Sequence, residues 1–121
     1  MNQGKRASVS AIAAMIILGK NIPSIFCYSQ SKYISLSGNA NRNQVNIFDY
    51  DRHCYVTGTA SSPGKFSLFD YGSSSYISLE INQNKFSGFD NESGRHYSGE
   101  VNRGSISMFD YDESKYFSFS I

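Results

Sequence analysis

Two hydropathy patterns divide the chain. Lys5 and Arg6 precede a run from Ala7 to Leu18 that is apolar except at Ser8 and Ser10, and from Ala11 to Leu18 no side chain is polar. Beyond residue 24 the apolar positions recur at every second residue, which predicts strands rather than helices. The stretch 65–81 shows this most clearly. Lys65-Phe66-Ser67-Leu68-Phe69-Asp70-Tyr71 reads as one strand, Gly72-Ser73-Ser74-Ser75 as a turn, and Tyr76-Ile77-Ser78-Leu79-Glu80-Ile81 as the return strand. A four-residue loop at 72–75 sets Tyr71 opposite Tyr76, Phe69 opposite Ser78 and Leu68 opposite Leu79. One face then carries Phe66, Leu68, Ile77, Leu79 and Ile81. The other carries Ser67, Phe69, Tyr71, Tyr76, Ser78 and Glu80.

The same unit recurs. Its marker is Phe-Asp-Tyr at 48–50, 69–71 and 109–111, with the variants Phe89-Asp90-Asn91 and Phe26-Cys27-Tyr28. The phenylalanines at 26, 48, 69, 89 and 109 are spaced by 22, 21, 20 and 20 residues. Seven residues after each comes a second ring: Tyr33, Tyr55, Tyr76, His96 and Tyr116. An apolar or aromatic residue follows at 34, 56, 77, 97 and 117, and then Ser or Thr. Five tandem β-hairpins of about twenty residues follow from this alignment. The predicted fold is all-β: an antiparallel meander of about ten short strands in a strongly curled sheet, open or closed as a barrel, with one short N-terminal apolar helix. Residues 1–23 form the helical or signal-like segment and 24–121 the repeat domain. The aliphatic face, including Ile25, Ile34, Val45, Ile47, Val56, Val101, Ile106, Met108 and Phe119, is too apolar to stay wet and must be core. Gly58, Gly88 and Gly99 interrupt it and mark bends or close backbone approaches.

The N-terminal run has two readings. Charge followed by about a dozen apolar residues outlines a signal peptide. However, the residues after it, Gly19-Lys20-Asn21-Ile22-Pro23, offer no small-residue cleavage site. The run is short for a membrane span. The preferred reading is a retained helix capped by Ser8 and ended by Gly19 ahead of Pro23. Such a helix is apolar all round, so a flat sheet would leave half of it wet. The sheet is therefore expected to wrap partly around it, with Ile12, Met15, Ile16 and Leu18 against the aliphatic face and the tyrosines outward. Retention goes with a cytoplasmic location, cleavage with secretion.

Composition removes several functions. The net charge is +1, from eleven basic and ten acidic residues with no long basic run, so no nucleic-acid partner is expected. Nine Tyr and nine Phe against two Pro favour sheet over disorder. Cys27 and Cys54 lack the spacing of a zinc site and read as free thiols. Asp49, Asp70, Asp90 and Asp110 share one slot of the repeat; each hairpin shoulder supplies too few oxygens for calcium, and Asp suits a turn. His53 and His96 are the only histidines, and His96 fills the second-ring slot. No nucleophile and base stand out, so the chain reads as a non-enzyme without metal or cofactor.

The candidate binding residues are Tyr28, Tyr33, Tyr50, Tyr55, Tyr71, Tyr76, Tyr111 and Tyr116, on the hydroxyl-rich face. Aromatics on a rigid sheet stack on sugars, bases or protein side chains, and they also stabilise a sheet with no ligand at all. The layout resembles, in architecture alone, the aromatic hairpin repeats of choline- and glucan-binding surface proteins. Their Gly-Trp and Trp-Tyr-Tyr signatures are missing, because the chain has no Trp. The leading expectation is a binding module with a protein or carbohydrate partner. One rival is a self-associating repeat protein with two open edge strands. Another is a barrel that carries a small apolar ligand under a helical lid or plug. A membrane partner enters only if residues 7–18 act as an anchor.

Overall fold

The computed structural model describes all 121 residues. Helix α1 spans Gln3–Leu18. Ten strands follow: β1 Ser24–Cys27, β2 Lys32–Ala40, β3 Gln44–Asp49, β4 Cys54–Ser62, β5 Lys65–Asp70, β6 Ser75–Asn82, β7 Lys85–Asp90, β8 Arg95–Asn102, β9 Ser105–Asp110 and β10 Lys115–Ser120. Every strand pairs antiparallel with its chain neighbours, and β1 pairs with β10, so the meander closes into a barrel. The closing seam is short: Phe26 faces Ser120, Cys27 faces Phe119, and Tyr28 N–H donates to the Ser118 carbonyl at 3.2 Å. Closure removes the two open edge strands that the self-associating reading required.

The helix lies in the barrel's lumen, where the sheet encloses it completely rather than partly. Val9, Ile12, Met15 and Ile16 are all buried, as are Ala7, Ala11, Ala13 and Ala14 between them. A helix with no polar stripe is stable only where every side meets apolar surface, and a closed barrel supplies that. Small alanines let the backbone approach the wall. Leu18, at the far mouth, is only partly buried. The sixteen residues of α1 rise about 24 Å, close to the roughly 20 Å of a six-residue strand. The helix starts earlier than the Ser8 cap implied. Asn2 is the N-cap, its side chain accepting from Lys5 N–H at 2.8 Å. Gly19 ends the helix with φ 69°, its N–H bonded to the Met15 carbonyl at 2.9 Å. No helix is long and apolar enough to cross a membrane.

The faces fall where alternation put them, but the hairpin register differs by two residues. Phe69 faces Tyr76, Leu68 faces Ile77 and Asp70 faces Ser75. The loop is therefore Tyr71–Ser74, one residue earlier than expected, with Ser74 at φ 52°. In this hairpin Asp70 accepts from the Ser73 hydroxyl at 2.7 Å, and the same register holds in the other Asp hairpins, where the Asp side chain binds turn amides. Asp49 Oδ1 accepts from the amides of Asp51 and Arg52 at 2.9 and 3.1 Å, and Asp110 Oδ1 from Asp112 at 3.0 Å. A side chain that binds the next two or three amides starts its turn immediately after itself.

Two of the interrupting glycines have a further use. Gly88 faces Tyr97 across β7–β8, and Gly99 faces Phe86 across the same pair. A Cβ on Gly88 would strike the Ser78 carbonyl and the Tyr97 ring; one on Gly99 would strike the Phe86 ring. Tyr97 and Phe86 thus each lie over a position with no side chain. Tyr97 donates its hydroxyl to the Ser78 carbonyl at 2.6 Å, which satisfies the one phenol inside the barrel.

Candidate functional site

All five Phe-Asp-Tyr hairpin loops lie at the barrel end that receives the helix N-terminus. Two rings of side chains form there, one inside the wall and one outside. The inner ring holds Asp49, Asp70, Asp90 and Asp110, all buried, with Cys27 in the fifth slot of the repeat. Alternation places these residues on the aliphatic face, since Asp70 is two positions from Leu68. Asp49, Asp90 and Asp110 bind turn amides, and the same three also grip the helix, while Asp70 meets Arg52 and the Ser73 hydroxyl. Lys5 Nζ donates to Asp90 at 2.8 Å, Glu92 at 3.0 Å and Ser75 at 3.0 Å. Arg6 pairs with Asp110 at 3.1 Å and stacks 3.6 Å over the Phe117 ring, and the Met1 amine lies 3.3 Å from Asp110. Arg52 bridges Asp49 at 2.8 Å and Asp70 at 3.0 Å, and Ser8 donates to Asp49 at 2.7 Å. Lys and Arg in a helix's first turn oppose its dipole. Here carboxylates of the wall compensate for both the dipole and the cations.

For Asp90 and Arg52, pairing outweighs burial. Burial by itself would raise the Asp90 carboxyl, but hydrogen bonds from Lys5 and Ser93 outweigh it and hold Asp90 below the usual carboxylate range. Burial likewise works against the Arg52 cation, yet Asp70 and Asp49 keep its pKa above the ordinary value. Burial is the main cause that pushes the Cys54 thiol up, with the carboxylates of Asp70 and Asp49 adding to it against Arg52. Burial, and behind it the Asp90 charge, also pushes the Tyr97 phenol far up. Cys27 and Cys54 are free and buried. The carboxylates meet cations of this chain, so what the inner ring does chemically is hold the helix in register with the wall.

The outer ring contains every candidate residue of the sequence. Tyr28, Tyr33, Tyr50, Tyr55, Tyr71, Tyr76, Tyr111 and Tyr116 are 50–72% exposed. They come in pairs around a half-buried phenylalanine. Phe69 meets Tyr71 and Tyr76 edge to face, with centroids 4.8 and 5.0 Å away. Phe26, Phe48 and Phe109 repeat this geometry at 4.7–4.9 Å. The observed register creates these triads, because each Phe faces the second ring directly and has the first ring two positions along its own strand. The fourth hairpin departs from the pattern: Phe89 meets His96 at 4.9 Å, and Asn91 replaces the other tyrosine. The loop tips beyond the belt carry Asp51, Glu92, Asp112 and Glu113.

Below the belt the outer wall is rich in hydroxyls and amides, unlike the apolar band of a membrane barrel. Two shallow grooves cross it under the second and third triads, of about 350 and 690 Å³. A third, of about 480 Å³, lies over β6–β9 and is lined by Glu80, Lys85 and Glu100 among others. The grooves could not be read from the sequence, since they depend on how neighbouring hairpins sit beside each other. Compared with protein-family models, with curated proteins and with solved structures, the chain matches none of them.

Proposed function

We propose that this protein is a non-enzymatic binding module that acts through its outer tyrosine belt. One observation carries the proposal: eight tyrosines in equivalent slots stand exposed, each braced by a phenylalanine of its own hairpin. Bracing costs a binding surface little entropy on association, because the rings are already held. Repetition lets one extended partner meet several triads at once, which multiplies weak contacts. The inner ring is engaged in holding α1, and α1 fills the lumen that a carrier would need. The belt is the surface left without a structural duty of that weight.

The triple variant Tyr50→Ser, Tyr71→Ser, Tyr111→Ser tests this. Each lost edge-to-face pair costs about 0.5–1.5 kcal/mol, so the variant should keep a cooperative melt at a lowered midpoint. Wild-type and variant protein are immobilised and exposed to the same cell extract, and retained protein and carbohydrate are quantified. The expected result is at least one species held by the wild type and reduced about tenfold or more on the folded variant. Equal retention by both, or collapse of the variant's fold, would contradict a binding role for the belt.

A further inference from the structure

We propose that the partner is a neutral glycan, lying as an extended chain across the two grooves under the second and third triads. This rests on the binding role of the belt and names the chemistry that the belt takes. The first groove is lined by Ser37, Asn46, Phe48, Tyr50 and Tyr55. The second is lined by Thr57, Thr59, Ser67, Phe69, Tyr71 and Tyr76 among others. They are the same site one repeat apart: Ser37 corresponds to Thr59, Asn46 to Ser67, and the two Phe-Tyr-Tyr triads to each other. Asn46 lines both grooves, so the sites are contiguous.

No charged side chain lines either groove. That absence selects against phosphates, nucleic acids and acidic or basic peptides, whose charge would be desolvated without a counter-charge. The lining offers hydroxyls and carboxamides, each both donor and acceptor, beneath ring faces. A sugar ring presents the complement, an apolar C–H face bordered by hydroxyls. Protein partners need an apolar core at their interface. The wall offers no aliphatic patch for one: its exposed large hydrophobics are the eight tyrosines, spread around the belt, and Ile121. Equivalent slots are two strands apart, about 10 Å around the barrel, so alternate sugar units of an extended chain can meet successive triads. The groove over β6–β9 is a built-in contrast: it carries Glu80, Lys85 and Glu100 with a single belt tyrosine, Tyr116, and its hairpin β7–β8 has Asn91 and His96 in place of tyrosines.

The test is affinity electrophoresis of the intact protein in gels containing hydroxyethylcellulose, xyloglucan, laminarin, galactomannan or soluble starch, with alginate as the charged comparison. At least one neutral polymer should retard migration and alginate should not. Titration calorimetry with a hexasaccharide of the retarding polymer should show affinity weakened about tenfold by Tyr71→Ser. It should also show weakening by Thr59→Val, which leaves every aromatic pair in place. Glu100→Gln, in the charged groove, should change nothing. Retardation by no neutral polymer overturns the proposal, and so does retardation that survives both Tyr71→Ser and Thr59→Val. If no polymer retards the protein while the triple tyrosine variant loses a protein from the extract, the glycan assignment fails and the belt's binding role stands. If the triple variant loses nothing, the binding role itself fails.

Discussion

Removing residues 1–20 is expected to leave a chain that aggregates instead of folding. The deletion empties the lumen. Burial of Val9, Ile12, Met15 and Ile16 contributes about 1.5–3 kcal/mol per side chain, and the net stability of a domain is only about 5–15 kcal/mol. The inward faces of all ten strands would lose their central partner. Asp90 and Asp110 would also lose the cations Lys5 and Arg6 that neutralise them. Size-exclusion chromatography and circular dichroism of the refolded deletion variant check this: the expected result is material in the void volume or an incompletely folded chain. A soluble monomer with a cooperative melt would show that the barrel stands without its helix.

Lys5→Met should be nearly as damaging, although it alters one side chain. Lys5 is fully buried and its ammonium satisfies Asp90, itself buried. Removing one member of such a pair strands the other charge in a low-dielectric site and costs about 3–5 kcal/mol. Adding Asp90→Asn should recover part of that loss, since the amide is neutral and keeps one oxygen, enough for the Glu92 or the Ser93 amide, which bond different oxygens of Asp90. The same pair sets an acid limit. Because Asp90 is held below its unfolded pKa, the folded state binds fewer protons than the unfolded state across that window. Its stabilisation is therefore complete above about pH 4 and is lost as pH falls through the depressed folded value. Urea midpoints measured from pH 7 down to 2 should drop more steeply below pH 4 in the wild type than in the Lys5→Met, Asp90→Asn double variant. Identical profiles would remove Asp90 as a source of the acid sensitivity.

The repeat and its alternation were enough to define the hairpins, both faces and the outward tyrosines. Those features depend on local periodicity, and each copy restates them. An all-round apolar helix also pointed to enclosure if it is retained, for a flat sheet would leave half of Ala11 to Leu18 wet. What was missed depends on contacts between distant segments. Asp70 lies on the inward face by simple alternation, but a carboxylate among Leu68 and Ile77 makes sense only once Arg52 is known to reach it. Lys5 and Arg6 looked like a charged flank before the helix because no acid lies near them in sequence; their partners are Asp90 and Asp110, far along the chain. The two-residue register difference came from starting the turn at Gly72, whereas the loop begins at Tyr71, directly after Asp70. That difference also hid the aromatic triads, since Phe69 was set opposite Ser78 and not Tyr76. Closure was undecided because its seam rests on four-residue β1, whose pairing with β10 leaves little trace in composition.

The barrel and its helix should be one cooperative unit, and native-state hydrogen exchange measures that directly. The amides of Ala11 to Ile16 lie inside the wall, and no partial opening exposes them without parting the strands. They should exchange only by global unfolding, with the same free energy and the same denaturant dependence as the best-protected amides of β5 and β6. Helix amides that exchange at a lower free energy, insensitive to denaturant while β5 and β6 stay protected, would mean that α1 leaves an intact barrel, and would contradict a fold built around its own helix.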